Sequence, residues 1–286
     1  MKQLLVISGK GGTGKTTLVS SFASLADKKV LSDCDVDAAD LHLILDPEIE
    51  SREEFSGAKE AIRDEAKCTD CGLCYEHCRF DAINEDFEID PFRCEGCGVC
   101  AHVCPEDAIK MEDVLSGYSL KSSTRYGKMV HGELRPGEET SGKLVTEIKQ
   151  EATDLADEEG VELIIIDGSP GTGCPVIASL ADVDLALVVT EPTKSGLSDL
   201  KRVIRLSENF DIKPAVVINK YDLNPEIVND IETFAKGNEI PVLGKIPYDP
   251  EVTKAMVAGK SVIEFSEDGT AREIRKIWEK LSDILA

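Results

Sequence analysis

The chain has 286 residues, of which 42% are hydrophobic, which is enough for one large α/β domain with a small insertion. Its formal net charge of −23 makes nucleic acids and anionic membranes poor partners, because their phosphates would be repelled. No apolar run reaches membrane-spanning length, and the opening MKQLLVISGK turns polar too early for a signal peptide, so we expect a cytoplasmic protein.

The first predicted strand, KQLLVIS, ends in a glycine-rich turn, and a helix is predicted from Lys15 to about Ala26. The turn GKGGTGKT fits the phosphate-loop pattern G-x-x-x-x-G-K-[ST] in the strand–loop–helix context that this motif requires. Its glycines allow backbone N–H groups to surround phosphate oxygens, while Lys15 reaches the β- and γ-phosphates and the Thr16 hydroxyl ligates Mg²⁺. We expect the following residues to bind the nucleotide: Gly9, Lys10, Gly11, Gly12, Thr13, Gly14, Lys15, Thr16 and Thr17.

A second strand, KKVLSDCD, follows, and the α/β pattern then gives way to two cysteine runs with C-x₂-C-x₂-C-x₃-C spacing. This spacing is typical of bacterial ferredoxins with two [4Fe–4S] clusters, in which the fourth cysteine of each run ligates the other cluster. In a reducing compartment, the regular spacing of eight of the ten cysteines favours metal ligation over disulfides. We therefore assign one cluster to Cys68, Cys71, Cys74 and Cys104, and the other to Cys94, Cys97, Cys100 and Cys78.

Zinc is the chief alternative for these cysteines, because C-x₂-C pairs also bind it. Pro105 follows Cys104 as in the full ferredoxin pattern, whereas Arg79 follows the fourth cysteine of the first run. Two further cysteines, Cys34 and Cys174, lie near the predicted nucleotide site. They fit either a redox role or simply small residues in tight loops.

Strands resume at VELIIIDGSPG and continue through VDLALVVTEP, KPAVVINK and IPVLGKIP, with helices between the later ones and a final amphipathic helix. Such alternation predicts a doubly wound, mostly parallel sheet with helices on both faces. The late strands need the early ones to complete the sheet, so the cysteine segment is an insertion. We predict an α/β P-loop NTPase domain (1–58 and 114–286) that contains a small α+β ferredoxin module (59–113). Residues 114–140 fit either a hairpin or a loop.

The string KGGTGKTT resembles the deviant phosphate loop of the MinD/Mrp-type and nitrogenase iron-protein-like ATPases. LSDCDVDAADL and LIIIDGSPGTG resemble the first switch of that family and its Walker B strand with the second switch. The resemblance implies that Lys10 reaches a partner subunit's nucleotide, in a homodimer or a heterodimer with a similar ATPase. It also implies that Asp35 orients the attacking water and that Asp33 and Asp167 lie at Mg²⁺ with Thr16. An exposed Lys10 that only adds positive potential is the alternative.

The same resemblance concerns the nucleobase. VVINKYDLN and IPYDPEV match segments that lie beside the adenine in this family, through Asn219 and through Pro247, Tyr248 and Asp249. The residues from Asn219 to Asp222 also fit the N-K-x-D pattern of guanine-binding GTPases, so GTP is the alternative nucleotide.

These features predict a Mg²⁺-dependent ATPase that couples nucleotide switching to electron transfer through two [4Fe–4S] clusters and an unidentified redox partner. One alternative is an iron–sulfur cluster assembly or carrier ATPase of the Mrp type, which would deliver clusters to an iron–sulfur partner. Mrp carriers use a late C-x-x-C, yet no cysteine follows Cys174, and Pro170 stands where the nitrogenase iron protein has a cluster cysteine. Another alternative is a MinD-like positioning ATPase, which would need a free, basic C-terminal helix.

Overall fold

The computed structural model describes residues 1–138 and 141–286, which form two compact units. The first unit contains Met1–Glu53, Ser119–Leu134 and the chain from Ser141 to Ala286. The second contains Glu54–Tyr118 and the described residues that follow Leu134. The second unit is therefore inserted into the sequence of the first, and the insertion limits drawn from the sequence, 59 and 113, lie inside its own.

Strands and helices alternate through most of the first unit. The strands of the described chain are β1 (Lys2–Ser8), β2 (Val30–Asp33), β3 (Glu48–Phe55), β4 (Ala58–Arg63), β5 (Ile109–Val114), β6 (Gly117–Thr124), β7 (Gly127–Leu134), β8 (Leu163–Pro170), β9 (Leu185–Thr190), β10 (Lys213–Asn219) and β11 (Val242–Ile246). The helices are α1 (Lys15–Leu25), α2 (Leu41–Leu45), α3 (Leu73–His77), α4 (Val99–Val103), α5 (Ser141–Glu159), α6 (Cys174–Leu180), α7 (Lys194–Asn209), α8 (Pro225–Gly237), α9 (Pro250–Val257), α10 (Val262–Phe265) and α11 (Thr270–Leu285).

Within the described residues, nine strands form one sheet in the order β11–β10–β9–β1–β8–β2–β7–β6–β3. The central strand β1 is parallel to β8 on one side and to β9 on the other, and the parallel pairing continues through β10 to β11 and through β2 to β7. All four apolar residues of β1, from Leu4 to Ile7, are fully buried, as in a strand covered on both faces. The predicted mostly parallel α/β sheet is confirmed.

Helices bury both faces of this sheet. Leu4 and Val6 of β1 belong to one core cluster together with Phe22 of α1 and Ile277 of α11. The alternate residues of β1 point to the opposite face, because side chains in a strand alternate with a period of two. There α5 packs against β7 over Gly132, where an added Cβ would lie 2.6 Å from Ile148 Cδ1.

The stretch between Val114 and Thr140, for which the sequence predicts either a hairpin or a loop, contains β6 and β7 within the described residues. Arg125 and Tyr126 join the two strands in a tight turn, so the hairpin interpretation is correct there. The hairpin extends the main sheet, with β3 as the strand at its edge. Glu139 and Thr140 lie outside the described residues.

The second unit has an antiparallel pair, β4 and β5, whose register runs from Ala58 opposite Val114 to Arg63 opposite Ile109. Between them lie two short helices with the same construction. Both α3 and α4 follow a left-handed glycine, Gly72 or Gly98, with φ of 81° and 74°. Both helices also end at the fourth cysteine of their run. The repeated cysteine spacing is thus a repeated local structure.

Candidate functional site

The phosphate loop lies between β1 and α1, at the carboxyl end of the central strand. Gly12 and Gly14 have φ of 77° and 97°, a left-handed conformation that favours glycine. Gly14 directly precedes α1, and an added Cβ there would lie 2.5 Å from the Asn219 amide nitrogen. The Ser8 hydroxyl donates to the Lys10 carbonyl oxygen over 2.7 Å. The loop therefore leads into a helix N-terminus, where backbone N–H groups favour a phosphate.

Two buried carboxylates lie at the ends of the neighbouring strands. Asp33 of β2 and Asp167 of β8 are register partners, and each is 1% exposed. Burial raises the pKa of Asp33 well above its ordinary value, and the charge of Asp167 raises it further. Burial also raises the pKa of Asp167 to about 6, although Lys15 and the Thr16 hydroxyl oppose the rise. Two carboxylates this crowded favour a bound cation.

These residues fit a magnesium ion, the cofactor of phosphate-loop nucleotide sites. Asp33 Oδ2 and Asp167 Oδ1 are buried and have no hydrogen-bond partner among the described residues. Carboxylate and hydroxyl oxygens are the donors that this hard cation prefers. Thr16, Asp33 and Asp167 would hold the ion or its water shell, and the ion would supply charge neutralisation at the phosphates.

Asp35 lies beside the lysine of the phosphate loop. Its Oδ2 is 3.5 Å from Lys15 Nζ, and its backbone N–H donates to Asp33 Oδ1 over 3.0 Å. Burial raises the pKa of Asp35, while the charge of Lys15 lowers it. A carboxylate in this position can orient a water molecule at the phosphate end of the site.

Lys10 does not extend freely into solvent in this structure. Its Nζ lies 3.2 Å from Glu191 Oε2, and Lys220 Nζ lies 2.5 Å from the other oxygen of the same carboxylate. Lys220 also donates to the Gly12 carbonyl oxygen over 3.2 Å. Burial acts to raise the pKa of Glu191, but Lys220 and Lys10 together hold it below its ordinary value. Sequence reasoning missed Glu191, because its place beside the loop depends on the pairing of β9 with β1.

A cavity of about 420 Å³ extends from the phosphate loop to the segment after β11. Its lining includes most of the residues that the sequence assigned to the nucleotide: Gly11, Gly12, Gly14, Lys15, Thr16, Thr17, Asp35, Asn219, Pro247, Tyr248 and Asp249. The remaining assigned residues, Gly9, Lys10, Thr13, Asp33 and Asp167, are not part of this lining. The structure thus brings the two halves of the assigned set to the walls of one cleft.

The side chains of the N-K-x-D string are not arranged as in a site that binds guanine. Asn219 Nδ2 donates to the Thr13 carbonyl oxygen over 2.7 Å and so braces the phosphate loop. Asp222 Oδ1 accepts a hydrogen bond from the Tyr248 backbone over 2.7 Å, and Asp222 is not part of the cavity lining. A guanine-reading aspartate must face the base, so this arrangement favours ATP over GTP.

The cysteines line two small cavities in the second unit. The first cavity is lined by one set of cysteines: Cys68, Cys71, Cys74 and Cys104. The second is lined by the other: Cys78, Cys94, Cys97 and Cys100. All eight thiols are free, and each cavity receives three cysteines from one run and the fourth from the other.

Apolar side chains and a backbone N–H group surround these thiols, and both matter for the binding of an iron–sulfur cluster. Phe87 and Ile109 line the first cavity, and Phe80, Ile83 and Met111 line the second. The Ala108 backbone N–H donates to Cys104 Sγ over 3.3 Å. Such N–H···S bonds and an apolar shell tune the potential of an iron–sulfur cluster. Four free thiols per cavity therefore suit the donor set of a [4Fe–4S] cluster.

Among the described residues, no group of three or more His, Cys, Asp or Glu side chains is placed so that it could hold a metal ion.

The two remaining cysteines differ in their surroundings. Cys34 is fully buried between Asp33 and Asp35, and burial raises the pKa of its thiol to about 12. Such a thiol is a poor nucleophile at neutral pH. Cys174 is exposed at the start of α6.

The final helix α11 is part of the fold. Its apolar residues Ile274, Ile277 and Leu281 are buried in the core cluster that contains β1. None of the helices in the described part of the chain is both long and apolar enough to cross a bilayer.

Comparison with known proteins agrees with this geometry. The profile of the CobQ/CobB/MinD/ParA nucleotide binding domain matches residues 4–262. An uncharacterised protein of Methanocaldococcus jannaschii is 38% identical over 286 residues, which cover 99% of this chain and 97% of that protein. An iron-sulfur cluster carrier protein of Pyrococcus furiosus is 29% identical over 153 residues, 49% of this chain and 52% of the carrier.

Among solved structures, the cell division ATPase MinD of Pyrococcus furiosus has a TM-score of 0.59 at 20% identity and covers 99% of each chain. At this identity the likeness concerns the fold alone. The fold and the profile match confirm the predicted MinD-type P-loop architecture. The chain belongs to the CobQ/CobB/MinD/ParA family of P-loop ATPases.

Proposed function

We propose that this chain is a Mg²⁺-dependent ATPase whose nucleotide cycle acts on two [4Fe–4S] clusters in its second unit. The observation that carries the proposal is the lining of two cavities by four free cysteines each, drawn from both runs. Interleaved ligation of this kind is the arrangement of two-cluster ferredoxins. When bound, such clusters supply one-electron redox chemistry, with a low-potential donor and a protein acceptor as partners.

At the nucleotide end, each residue of the site has a role that its surroundings support. Lys15 would contact the β- and γ-phosphates, because its buried amine lies at the N-terminus of α1. Asp35, 3.5 Å from that amine, would orient the attacking water. Asn219 and the Pro247–Asp249 segment would lie along the base, since they line the same cleft as Lys15. Asn219 is the member of this set that borders the phosphate loop, through its bond to the Thr13 carbonyl oxygen.

Lys10 would act on the nucleotide of a second chain, which makes the functional unit a homodimer or a heterodimer with a similar ATPase. In support, its side chain is 34% exposed, and the pair that it forms with Glu191 would open when it reaches the second chain. Binding to a different protein also occurs among proteins of this fold, since a MinD of Aquifex aeolicus is known in a MinC:MinD complex. The partner proposed for this chain is a redox or iron–sulfur protein.

The clusters have two candidate fates. Similarity to the iron-sulfur cluster carrier protein over 49% of this chain favours delivery of clusters to an apo-protein. The interleaved cysteines favour retention of the clusters, because one cluster can leave only when thiolates from both runs dissociate from it. ATP-dependent electron transfer needs retained clusters, and ATP-dependent delivery needs labile ones.

Anaerobic purification with metal and sulfide analysis tests the common part of the proposal. Two [4Fe–4S] clusters predict about eight iron ions and about eight acid-labile sulfides per chain, with Mg²⁺-dependent ATP hydrolysis by the same preparation. Zinc without sulfide, or no ATP hydrolysis, would contradict it.

Incubation with an apo-ferredoxin then distinguishes delivery of the clusters from their retention. Iron that moves to the apo-ferredoxin in the presence of ATP identifies a carrier, whereas retained iron with ATP-dependent reduction of an acceptor identifies electron transfer.

A further inference from the structure

Four buried side-chain oxygens have no hydrogen-bond partner in the part of the chain that the structure describes. Three of them belong to Thr13, Asp33 and Asp167, at the phosphate and magnesium end of the site. The fourth is Thr270 Oγ1, for which neither the sequence motifs nor the family resemblance provides a role. Because buried polar groups are nearly always bonded, an oxygen of this kind beside a ligand cleft indicates a bond that a ligand completes.

Thr270 lines the same cleft as the phosphate loop, although it lies near the other end of the sequence. It is the first residue of α11, it is 2% exposed, and it lines the cleft together with Pro247 and Tyr248. Gly269 is the N-cap of α11, and no side chain caps the helix. The Thr270 hydroxyl is therefore not used to begin the helix, and no other residue that the structure describes bonds to it.

Part of the cleft lining suits a nucleobase. Val252 and Met256 of α9, with Ile274 one turn after Thr270 on α11, contribute apolar side chains to the lining that also contains Lys15 and the glycines of the phosphate loop. A flat, largely apolar base fits between such walls, and its edge carries hydrogen-bond donors and acceptors. A hydroxyl can serve either kind of group, because its proton rotates to suit the partner.

We propose that the Thr270 hydroxyl hydrogen-bonds the adenine base of bound ATP and helps the cleft to select it. This inference rests on the ATP binding of the proposed function, and it adds a base-contacting residue from α11. Asp222, the residue that would read guanine, is held instead by the Tyr248 backbone over 2.7 Å.

The test compares the wild type with two variants. T270V replaces the hydroxyl with a methyl group of nearly the same shape, and T270S keeps the hydroxyl. Each full-length chain is purified anaerobically, and calorimetry measures its Kd for ATP and for inorganic tripolyphosphate, both with Mg²⁺. Tripolyphosphate has the phosphates without the base. We expect T270V to weaken ATP binding about 3- to 10-fold, T270S to weaken it less than about twofold, and tripolyphosphate binding to stay the same.

Thermal unfolding adds a measurement that separates binding from a structural role. Without nucleotide, T270V should unfold at the same temperature as the wild type or higher, because the substitution removes an unpartnered buried oxygen. A lower midpoint for T270V, equal ATP affinities, or a parallel loss of ATP and tripolyphosphate affinity would overturn the role of Thr270. A wild type that binds tripolyphosphate and ATP equally well would also overturn it. If the wild type binds neither, the proposed function itself fails.

Discussion

Asp35 is the residue whose position most directly predicts a chemical defect. It lies 3.5 Å from Lys15 Nζ, where its carboxylate can orient water but is not needed to hold the phosphates. We expect D35N to lower the rate of ATP hydrolysis about 100-fold or more, because a positioned carboxylate contributes about that much. The Kd for ATP should change little. A steady-state phosphate-release assay and calorimetry measure the two effects.

Asp37 offers a matched control for this substitution. It is an exposed carboxylate in the same loop, so D37N makes the same change of charge two residues away. D37N should hydrolyse ATP at nearly the wild-type rate. If D35N and D37N had similar activities, water activation by Asp35 would have to be abandoned.

His131 predicts how stability depends on pH. It is 5% exposed in β7, its Nε2 lies 2.9 Å from Ser122 Oγ, and burial, with a smaller effect of His42, lowers its pKa from 6.5 to about 4. The unfolded chain therefore binds a proton that the folded chain excludes. The stability from this residue is complete above pH 6.5 and is lost as the pH falls toward 4.

We expect the free energy of unfolding of the wild type to fall about 2–3 kcal/mol more than that of H131Q between pH 6.5 and pH 4. Urea unfolding followed by circular dichroism at several pH values gives this difference. H77Q is the control, because His77 is an exposed histidine whose loss should leave the wild-type slope intact. Parallel slopes for the wild type and H131Q would show that burial of His131 carries no such energy.

Glu191 connects three elements of the sheet at the phosphate loop. It follows β9, and its carboxylate binds Lys10 after β1 and Lys220 after β10. We expect E191Q to bind Mg·ATP about 3- to 10-fold more tightly at low ionic strength, because one negative charge next to the phosphates is removed. The difference should shrink as salt is added, since salt screens charges that are partly exposed.

Titration calorimetry at low and high salt measures this effect. E226Q is the matched control, because Glu226 is an exposed carboxylate on α8, away from the cleft lining. E226Q should leave the affinity for ATP unchanged. Weaker binding by E191Q would mean that the carboxylate serves chiefly to orient the two lysines, and the charge argument would then be wrong.

The elements that the sequence predicts well are those with a continuous apolar run. The strands β1, β8 and β9 are buried on both faces, so composition alone identifies them. The edge strand β3 cannot be predicted in this way, because its sequence EIESREEF is charged and only Phe55 is buried. The strands β6 and β7 also lack a continuous apolar run, because part of their buried face consists of polar residues such as Ser119, Ser122 and His131.

The site shows the same division between local and long-range information. The phosphate loop and the cysteine runs are contiguous motifs, so their residues could be named from spacing. Glu191 depends on the order of strands in the sheet, and Thr270 depends on how α11 packs beside the cleft.

At the scale of the whole molecule, a chain with a net charge of −23 must bind an anionic nucleotide. Long-range attraction cannot assist it, because the overall field repels phosphates. Binding must therefore depend on the local field of the helix N-terminus and on Lys10, Lys15 and Lys220. Residues 59–113 contribute part of this negative net charge, since they contain 15 acidic and 6 basic side chains. An acidic surface of this kind suits a partner protein with a basic one.

The two cavities of the second unit predict which cysteines act together. Because Cys104 lines the cavity of Cys68 and not that of Cys94, C68A and C104A should damage one and the same cluster. The double variant C68A/C104A should therefore retain the other cluster and about four iron ions, whereas C94A/C104A should damage both. Anaerobic iron and sulfide analysis with electron paramagnetic resonance measures the difference. C174A, which removes an exposed cysteine outside both cavities, should keep the full content. If instead C94A/C104A retained one intact cluster and C68A/C104A lost both, each run would hold its own cluster, and interleaved ligation would be wrong.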